Sequence, residues 1–512
     1  MKKILSYCAL ALSMVTIVSC TKGLEDLNVN KVNPTSLDAV LLLNNAIINT
    51  SYPTKTVVYE MCIVQQMVTP NGGVLAGGNF NQDSRDVTNA PTWAGYYQNV
   101  IKYTHDAITK TKDDPARANL YNMARIWQGY AFMILTDTYG AIPYFEGGAG
   151  VTDQILLPKY DQQQDIYSDL VKVFDEASAA LSTSATVETS DLLYAGNIEK
   201  WKKLGYSLLL RAGMRLNKVD ASTAQSIVKK AVDGGVITDN ADNAYMRHDA
   251  NYLNPIGNML NSTEAANWYL ANPFVDTLKT NNDPRLQSIA VRYKGATSGS
   301  GQTADLATTA PDDQIGMPMG YDNGTIVAKA ASDGLASFYD YSQADRKRIA
   351  ATSSPMFFVT AAQTNLLLAE ARYRGWITTG TAAQFFEDGI RAHMNQLAAY
   401  GASVAVDASA ADTYISTHPL VAGRELEQIN TQYWIASFLN GPEAFANFRR
   451  SGYPALAPNP YGQPNNPDVP NGTFIRRIGY PTSELSVNTD NVNAAIAIMG
   501  PDKLSTRLWW DK

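Results

Sequence analysis

Apolar residues recur along this chain at three- and four-residue spacing, the one-sided stripe that an α-helix buries. From Arg117 the stripe runs Leu120, Met123, Ala124, Trp127, Ala131 and Ile134, and Gly140 and Pro143 supply its stop signal. Further stripes run Ile166, Leu170, Val173, Ala177, Leu181, then Leu204, Leu208, Ala212, Leu216. Two more run Val359, Ala362, Leu366, Ala369, Tyr373 and Leu426, Ile429, Tyr433, Ala436. Residues 36–49 and 92–109 carry weaker versions of the same pattern. The expected helices fall into pairs, 92–110 with 117–136, 162–181 with 197–217, and 356–374 with 382–400.

Alternating small and large residues along these stripes suit close antiparallel packing. The pairs resemble tetratricopeptide-type helix pairs, although no strict period of about 34 residues survives. A generic helical bundle is the alternative. Three regions break the pattern. Residues 71–89 are rich in Gly, Asn and Asp, and residues 234–355 form a long stretch of turn formers. Residues 454–470 are rich in Pro and Asn and read as an extended surface connector. Aromatic residues are scattered through the first two regions, which argues for ordered loops rather than disorder.

The N-terminus adds a different signal. Lys2-Lys3, an apolar run from Ile4 to Ile17, and Val18-Ser19-Cys20 follow the order of a lipoprotein signal. On that reading residues 1–19 are removed, Cys20 carries lipid, and residues 20–35 tether a single folded body, 36–512. An ordinary secretory signal with a Cys near its cleavage point is the alternative. Within the body, a helical scaffold is expected at about 36–233 and 356–450, a loop-rich insertion at 234–355 and a wrap-around tail at 451–512.

Composition excludes more than it selects. A hydrophobic content of 45% and charged content of 17% are those of a globular protein. The net charge is −7 and no basic cluster tracks phosphates, so nucleic acid is not an expected partner. Of the three cysteines, Cys8 leaves with the signal and Cys20 takes lipid, so Cys62 is left without a disulfide partner. The four histidines make no metal-ligand pair, and no CxxC, GxSxG or P-loop occurs. Gly299-Ser300-Gly301-Gln302-Thr303-Ala304 fits the dinucleotide pattern only nominally and reads as a loop. The acidic turn Asp239-Asn240-Ala241-Asp242-Asn243 reads as a solvated turn rather than a cation site. Asp137 and Glu370 lie in helices and read as structural carboxylates. No catalytic residue, metal or cofactor is expected.

Several segments, in order, carry a family resemblance. Leu120-Tyr121-Asn122-Met123-Ala124-Arg125 leads through Tyr130 and Asp137 to Thr138-Tyr139-Gly140-Ala141-Ile142-Pro143-Tyr144. Leu366-Leu367-Leu368-Ala369-Glu370-Ala371 precedes Arg374-Gly375, and Gln432-Tyr433-Trp434 precedes Asn440-Gly441-Pro442-Glu443-Ala444. Then come Arg449-Arg450-Ser451-Gly452-Tyr453-Pro454, Arg476-Arg477-Ile478-Gly479-Tyr480-Pro481 and a closing Leu508-Trp509-Trp510-Asp511. The series resembles the SusD/RagB family of outer-membrane nutrient-binding lipoproteins. That resemblance implies a mainly α-helical, tetratricopeptide-like superhelical platform whose irregular loops carry the ligand site. It implies a non-enzymatic lid on a SusC-like, TonB-dependent outer-membrane barrel, exposed at the cell surface, lipid-anchored and taking up glycans or, in some members, peptides. The two Arg pairs read as pins between tail and helices, with a ligand clamp as the alternative.

A sugar offers hydroxyl edges and apolar C–H faces, so its site needs flat rings beside planar amides, carboxylates and guanidinium groups. The loops offer Phe80, Arg85, Trp93, Trp268, Tyr269, Tyr321, Asn323, Tyr339 and Tyr341. Burial in a loop core is the competing reading for each ring. The expected function is capture of an oligosaccharide or polysaccharide and its delivery to the barrel. A peptide-binding lid, a glycoside hydrolase and a structural surface protein are the alternatives.

Overall fold

A computed structural model describes residues 37–53, 55–85, 90–150 and 153–512. The proposed signal, tether and Cys20 lie outside the described residues. Helices α1 (Ala39–Asn49), α2 (Ala90–Tyr96), α3 (Lys102–Thr111) and α4 (Ala118–Tyr139) open the fold. They are followed by α5 (Gln163–Ala180), α6 (Ile198–Arg215) and α7 (Ala221–Gly234). The stripe that begins at Leu120 becomes α4, which is buried nearly all round because α3, α5 and α6 pack against it. Gly140 ends it with a φ of 89°, a left-handed stop that favours glycine.

Small residues set how closely these helices approach. A Cβ on Gly205 of α6 would lie 1.9 Å from Ser178 Oγ of α5 and 3.1 Å from Ile126 of α4. The expected helix at 92–110 is interrupted by a π-turn, Tyr97–Ile101. The expected helix at 356–374 begins later, because Met356–Val359 is extended and Thr360 caps the helix through Gln363 N. β-branched and aromatic residues favour that strand. α7 was not among the expected stripes.

Short helices and strands fill the insertion: β2 (Ala244–Met246), α8 (Pro255–Leu260), β3 (Tyr269–Leu270), α9 (Asn272–Thr280), α10 (Arg285–Ile289) and β4 (Ala290–Tyr293). β5 (Ala307–Thr308), α11 (Ile326–Ser332) and β6 (Gln343–Ala344) complete it. The segment just before the first loop supplies β1 (Met67–Val68), and β7 is Met356–Val359. All strand pairs are antiparallel: β1 with β3, β2 with β7, and β4 between β5 and β6. The β2–β7 ladder, with Met246 opposite Met356, ties the two ends of the insertion together. The β1–β3 ladder, with Val68 opposite Tyr269, ties the segment before the first loop to the insertion's middle.

Helices α12 (Ala361–Tyr373), α13 (Ala382–Gln396), α14 (Ala408–Thr417), α15 (Glu425–Ala436) and α16 (Gly441–Ser451) return the chain to the scaffold. After an irregular stretch, α17 (Thr482–Val487) and α18 (Thr489–Met499) lead to the C-terminus. One hydrophobic core takes side chains from Ala39 through Trp510.

The paired arginines act as pins. Arg450 holds Glu370, and Arg477 pairs with Asp502 and donates to Tyr139 O. Arg449 donates to Asp137 O (2.6 Å) and Arg476 O (2.8 Å), and its guanidinium lies over Trp510. Arg476 reaches Asp511 at 3.4 Å. The Asp137 carboxylate accepts from Trp510 Nε1 at 3.0 Å, and its backbone carbonyl takes the Arg449 bond, so one residue of α4 holds both α16 and the end of the tail. No helix among the described residues is long and apolar enough to cross a membrane.

Candidate ligand-binding face where three loops meet

The first Gly/Asn-rich loop lies flat on the scaffold because two glycines permit it. A Cβ on Gly77 would sit 2.6 Å from Val58 Cγ1, and one on Gly78 would sit 2.8 Å from Tyr59 O. Asparagine amides then stitch this loop to the tail. Asn81 Nδ2 donates to Asn459 O (2.9 Å) and Tyr461 O (3.0 Å), while Asn459 Nδ2 donates to Asn79 O (2.6 Å). Asn466 Nδ2 donates to Asn81 O at 2.9 Å. Phe80 meets the Tyr461 ring edge-to-face at 4.7 Å.

The insertion joins from the other side. Gly320 packs directly on Pro460, and Tyr461 OH donates to Asp322 Oδ2 at 3.3 Å. Asp322 Oδ1 accepts from Gly324 N, Thr325 N and Thr325 Oγ1, at 3.0, 3.0 and 2.8 Å. These bonds, the Thr325 hydroxyl first, hold its carboxyl below the usual carboxylate range, and they fix the turn that carries Tyr321 and Asn323. Asn323 is exposed and Tyr321 half-buried. Farther along, Phe338 and Tyr339 stack at 4.2 Å, both half-buried, and Gln302 Nε2 donates to Tyr339 O at 2.9 Å. Asn71 Nδ2 reaches Asn267 Oδ1 at 2.6 Å, linking the first loop to the segment before β3.

The structure therefore places Tyr321 and Asn323 on the turn that meets the tail at Tyr461, while Tyr339 packs on a neighbouring cluster with Val291 and Tyr293. Other expected residues are placed differently. Trp268 and Tyr341 are 1% and 0% exposed, and Tyr269, Phe80 and Trp93 are also buried. Phe80, Trp268, Tyr269 and Tyr341 offer no open face, and Trp93 reaches only the edge of a separate cleft beside Tyr97 and Pro143. Trp268 joins the main core, and Trp93 is enclosed by Tyr97, Tyr139, Tyr160 and Tyr480. Tyr269 and Tyr341 form a second, smaller core with Val68, Met317, Ile326 and Leu335. The physical reason is that an insertion this long must bury apolar area of its own to offset the entropy of ordering it. Arg85 is half-buried and consumed by Asp83 and Asp502. It fastens the first loop to the tail.

Tyr461 is the residue that sequence reasoning passed over, since 454–470 reads as a connector. The available signal was an aromatic ring set among Pro, Gly and Asn. The junction supplies rings, amides and one ionised carboxylate, the chemistry that recognises a polyol. Among the described residues no group of three or more His, Cys, Asp or Glu is arranged to hold a metal ion.

Comparison with known proteins agrees with this architecture. A chitin-binding protein is 30% identical over 93% of this chain and all of its own, with a TM-score of 0.80. A Bacteroidetes SusD-like protein, AC2a, is 28% identical over 93% of this chain and all of its own, with a TM-score of 0.78. A SusD homolog from Bacteroides uniformis is 25% identical over 93% of this chain and 98% of its own, with a TM-score of 0.73. No curated protein matches the sequence at a significant level. The profile of the SusD-like family described as starch-binding and associating with the outer membrane matches residues 30–481, and to that family of binding proteins the chain belongs.

Proposed function

We propose that the protein captures an oligosaccharide or polysaccharide at the junction of the three loops, and releases it to a TonB-dependent, SusC-like β-barrel. In this reading a lipid on Cys20 holds the protein at the outer surface of the outer membrane. The observation that carries the proposal is the turn Tyr321-Asp322-Asn323, fixed by its own Asx hydrogen bonds and by Tyr461 from the tail. It carries the half-buried Tyr321 ring and the exposed Asn323 amide. A rigid ring and a planar amide bind a sugar at low entropy cost, because little freedom remains to be lost. The chitin-binding function named for the 30% identical relative supports the same ligand class.

Affinity electrophoresis tests it. Protein lacking residues 1–20 should be retarded in native gels containing glycol chitin or starch, and should release no reducing ends. Turnover of the polysaccharide, or free migration through both gels, overturns the proposal. Copurification of the lipidated protein with a large outer-membrane barrel tests the delivery step.

A further inference from the structure

A cleft of about 720 Å³ opens on the scaffold, bounded by α9, the end of α14, the start of α15 and the tail from Pro454 to Ala457. It is separate from the loop junction, but both share the tail as a wall. Gln65 Nε2 anchors the tail at Ala457 O, and four residues later Tyr461 takes part in the junction. Four residues span at most roughly 14 Å of extended chain. The two sites are therefore close enough for one polymer to reach both.

The cleft is built rather than incidental. The His418 ring stacks on Tyr414 at 4.2 Å, so one imidazole face is covered and the other is left for a ligand. His418 Nδ1 lies 2.8 Å from Tyr414 O, which fixes the Nδ1–H tautomer and leaves Nε2 without a protein partner among the described residues. Arg424 places Nε and Nη2 on Glu427, at 3.1 and 2.8 Å, and leaves Nη1 without a protein partner among the described residues. Gln428 clamps the rim between them, accepting from Val421 N (2.7 Å) and donating to Pro419 O (3.0 Å). Thr277, Thr280, Asn281 and Thr431 add hydroxyl and amide groups to the walls.

We propose that this cleft is a second saccharide site that engages the same glycan chain as the loop junction. The inference rests on the saccharide reading above. Flat apolar surface from His418 and Pro419, next to an imidazole nitrogen, a guanidinium edge and several hydroxyls, matches a sugar's alternating faces and edges. The cleft walls carry no sheet edge on which an extended peptide could add a strand. Two sites on one chain make the second contact intramolecular, so affinity rises with polymer length.

Calorimetric titration with chitin- and starch-derived oligomers tests this, using a disaccharide and a long oligomer of each. For the unmodified protein, affinity for the long oligomer should exceed that for the disaccharide. His418→Ala with Arg424→Ala should cost roughly tenfold or more with the long oligomer and leave the disaccharide unchanged. Thr280→Trp, which fills the cleft from an exposed helix position, should do the same. Unchanged binding of the long oligomer by both variants overturns the proposal. An equal loss for both lengths also overturns it, since the cleft would then be the primary site. If the unmodified protein binds no saccharide of either length, the saccharide reading falls and this inference falls with it.

Discussion

Arg450 grips Glu370 through two hydrogen bonds of 2.8 and 2.7 Å, with both side chains wholly buried. Asn430 donates a third bond to Glu370, Asn447 accepts from Arg450, and Arg374 adds a further bond to Glu370 at 2.9 Å. The pair joins α16 to α12 at the point where the tail leaves the scaffold. Removing Arg450 strips the buried carboxylate of its main counter-ion and leaves only the partly exposed Arg374. Arg450→Met should destabilise the fold by about 3–5 kcal/mol, read from urea melts. A loss below about 1 kcal/mol would show that the interior relaxes around the bare carboxylate.

The same pair sets an acid limit. Burial alone would raise the Glu370 carboxyl, but Arg450 and Arg374 outweigh it and hold the group at about 2 instead of 4.5. A pKa lowered by folding stabilises the protein above the unfolded value and loses that contribution as pH falls toward the folded one. Stability should therefore drop between about pH 4.5 and 2, with Glu370 contributing roughly 3 kcal/mol of the change. Glu370→Gln should flatten that part of the stability–pH curve. A curve of unchanged slope would assign the acid loss to other carboxylates.

Helix spacing gives a third test. Gly205→Ala places a methyl 1.9 Å from Ser178 Oγ, where α5 and α6 cross. The helices must shift or the serine must turn, at a cost of about 1–3 kcal/mol. Adding Ser178→Ala removes the nearest atom and leaves the next side-chain atom of residue 178 at 3.2 Å, so the double variant should regain part of the loss. Equal melting temperatures for Gly205→Ala and the unmodified protein would mean that the crossing is loosely packed.

The helical body was legible because burial repeats with the helix period. Leu120, Met123, Trp127 and Ile134 report one face of α4 without any knowledge of what packs on it. The SusD-like series was legible for a related reason, since its Arg pairs and helix stops are local words in fixed order. The loop face was only partly legible. Tyr321 and Trp268 sit in similar local sequence, yet one rims a junction and the other is core. Which ring an ordered loop buries depends on distant partners. Asp322 and Tyr461 meet across 139 residues, and no periodicity carries that information.

The proposed anchor is tested by Cys20→Ala. A protein whose only membrane attachment is lipid on that residue should move to the soluble periplasmic fraction. Acyl chains add about 0.8 kcal/mol per buried methylene, so their loss is decisive for partitioning. Retention of the variant in the outer-membrane fraction would assign attachment to another contact.

Tyr321 and Trp268 separate binding from packing. Tyr321 is half-buried at the junction, and truncating it removes a candidate sugar platform while leaving the turn held by Asp322 and Thr325. Tyr321→Ala should weaken polysaccharide retardation in native gels by an amount equivalent to about 1–3 kcal/mol, with an unchanged helical circular dichroism signal. Trp268→Ala instead empties a large volume in the main core and should cost about 3–5 kcal/mol of stability. Its binding should fall only in proportion to the folded fraction. The opposite pattern, a stable Trp268→Ala that no longer binds alongside a Tyr321→Ala that binds normally, would move the ligand site off the three-loop junction.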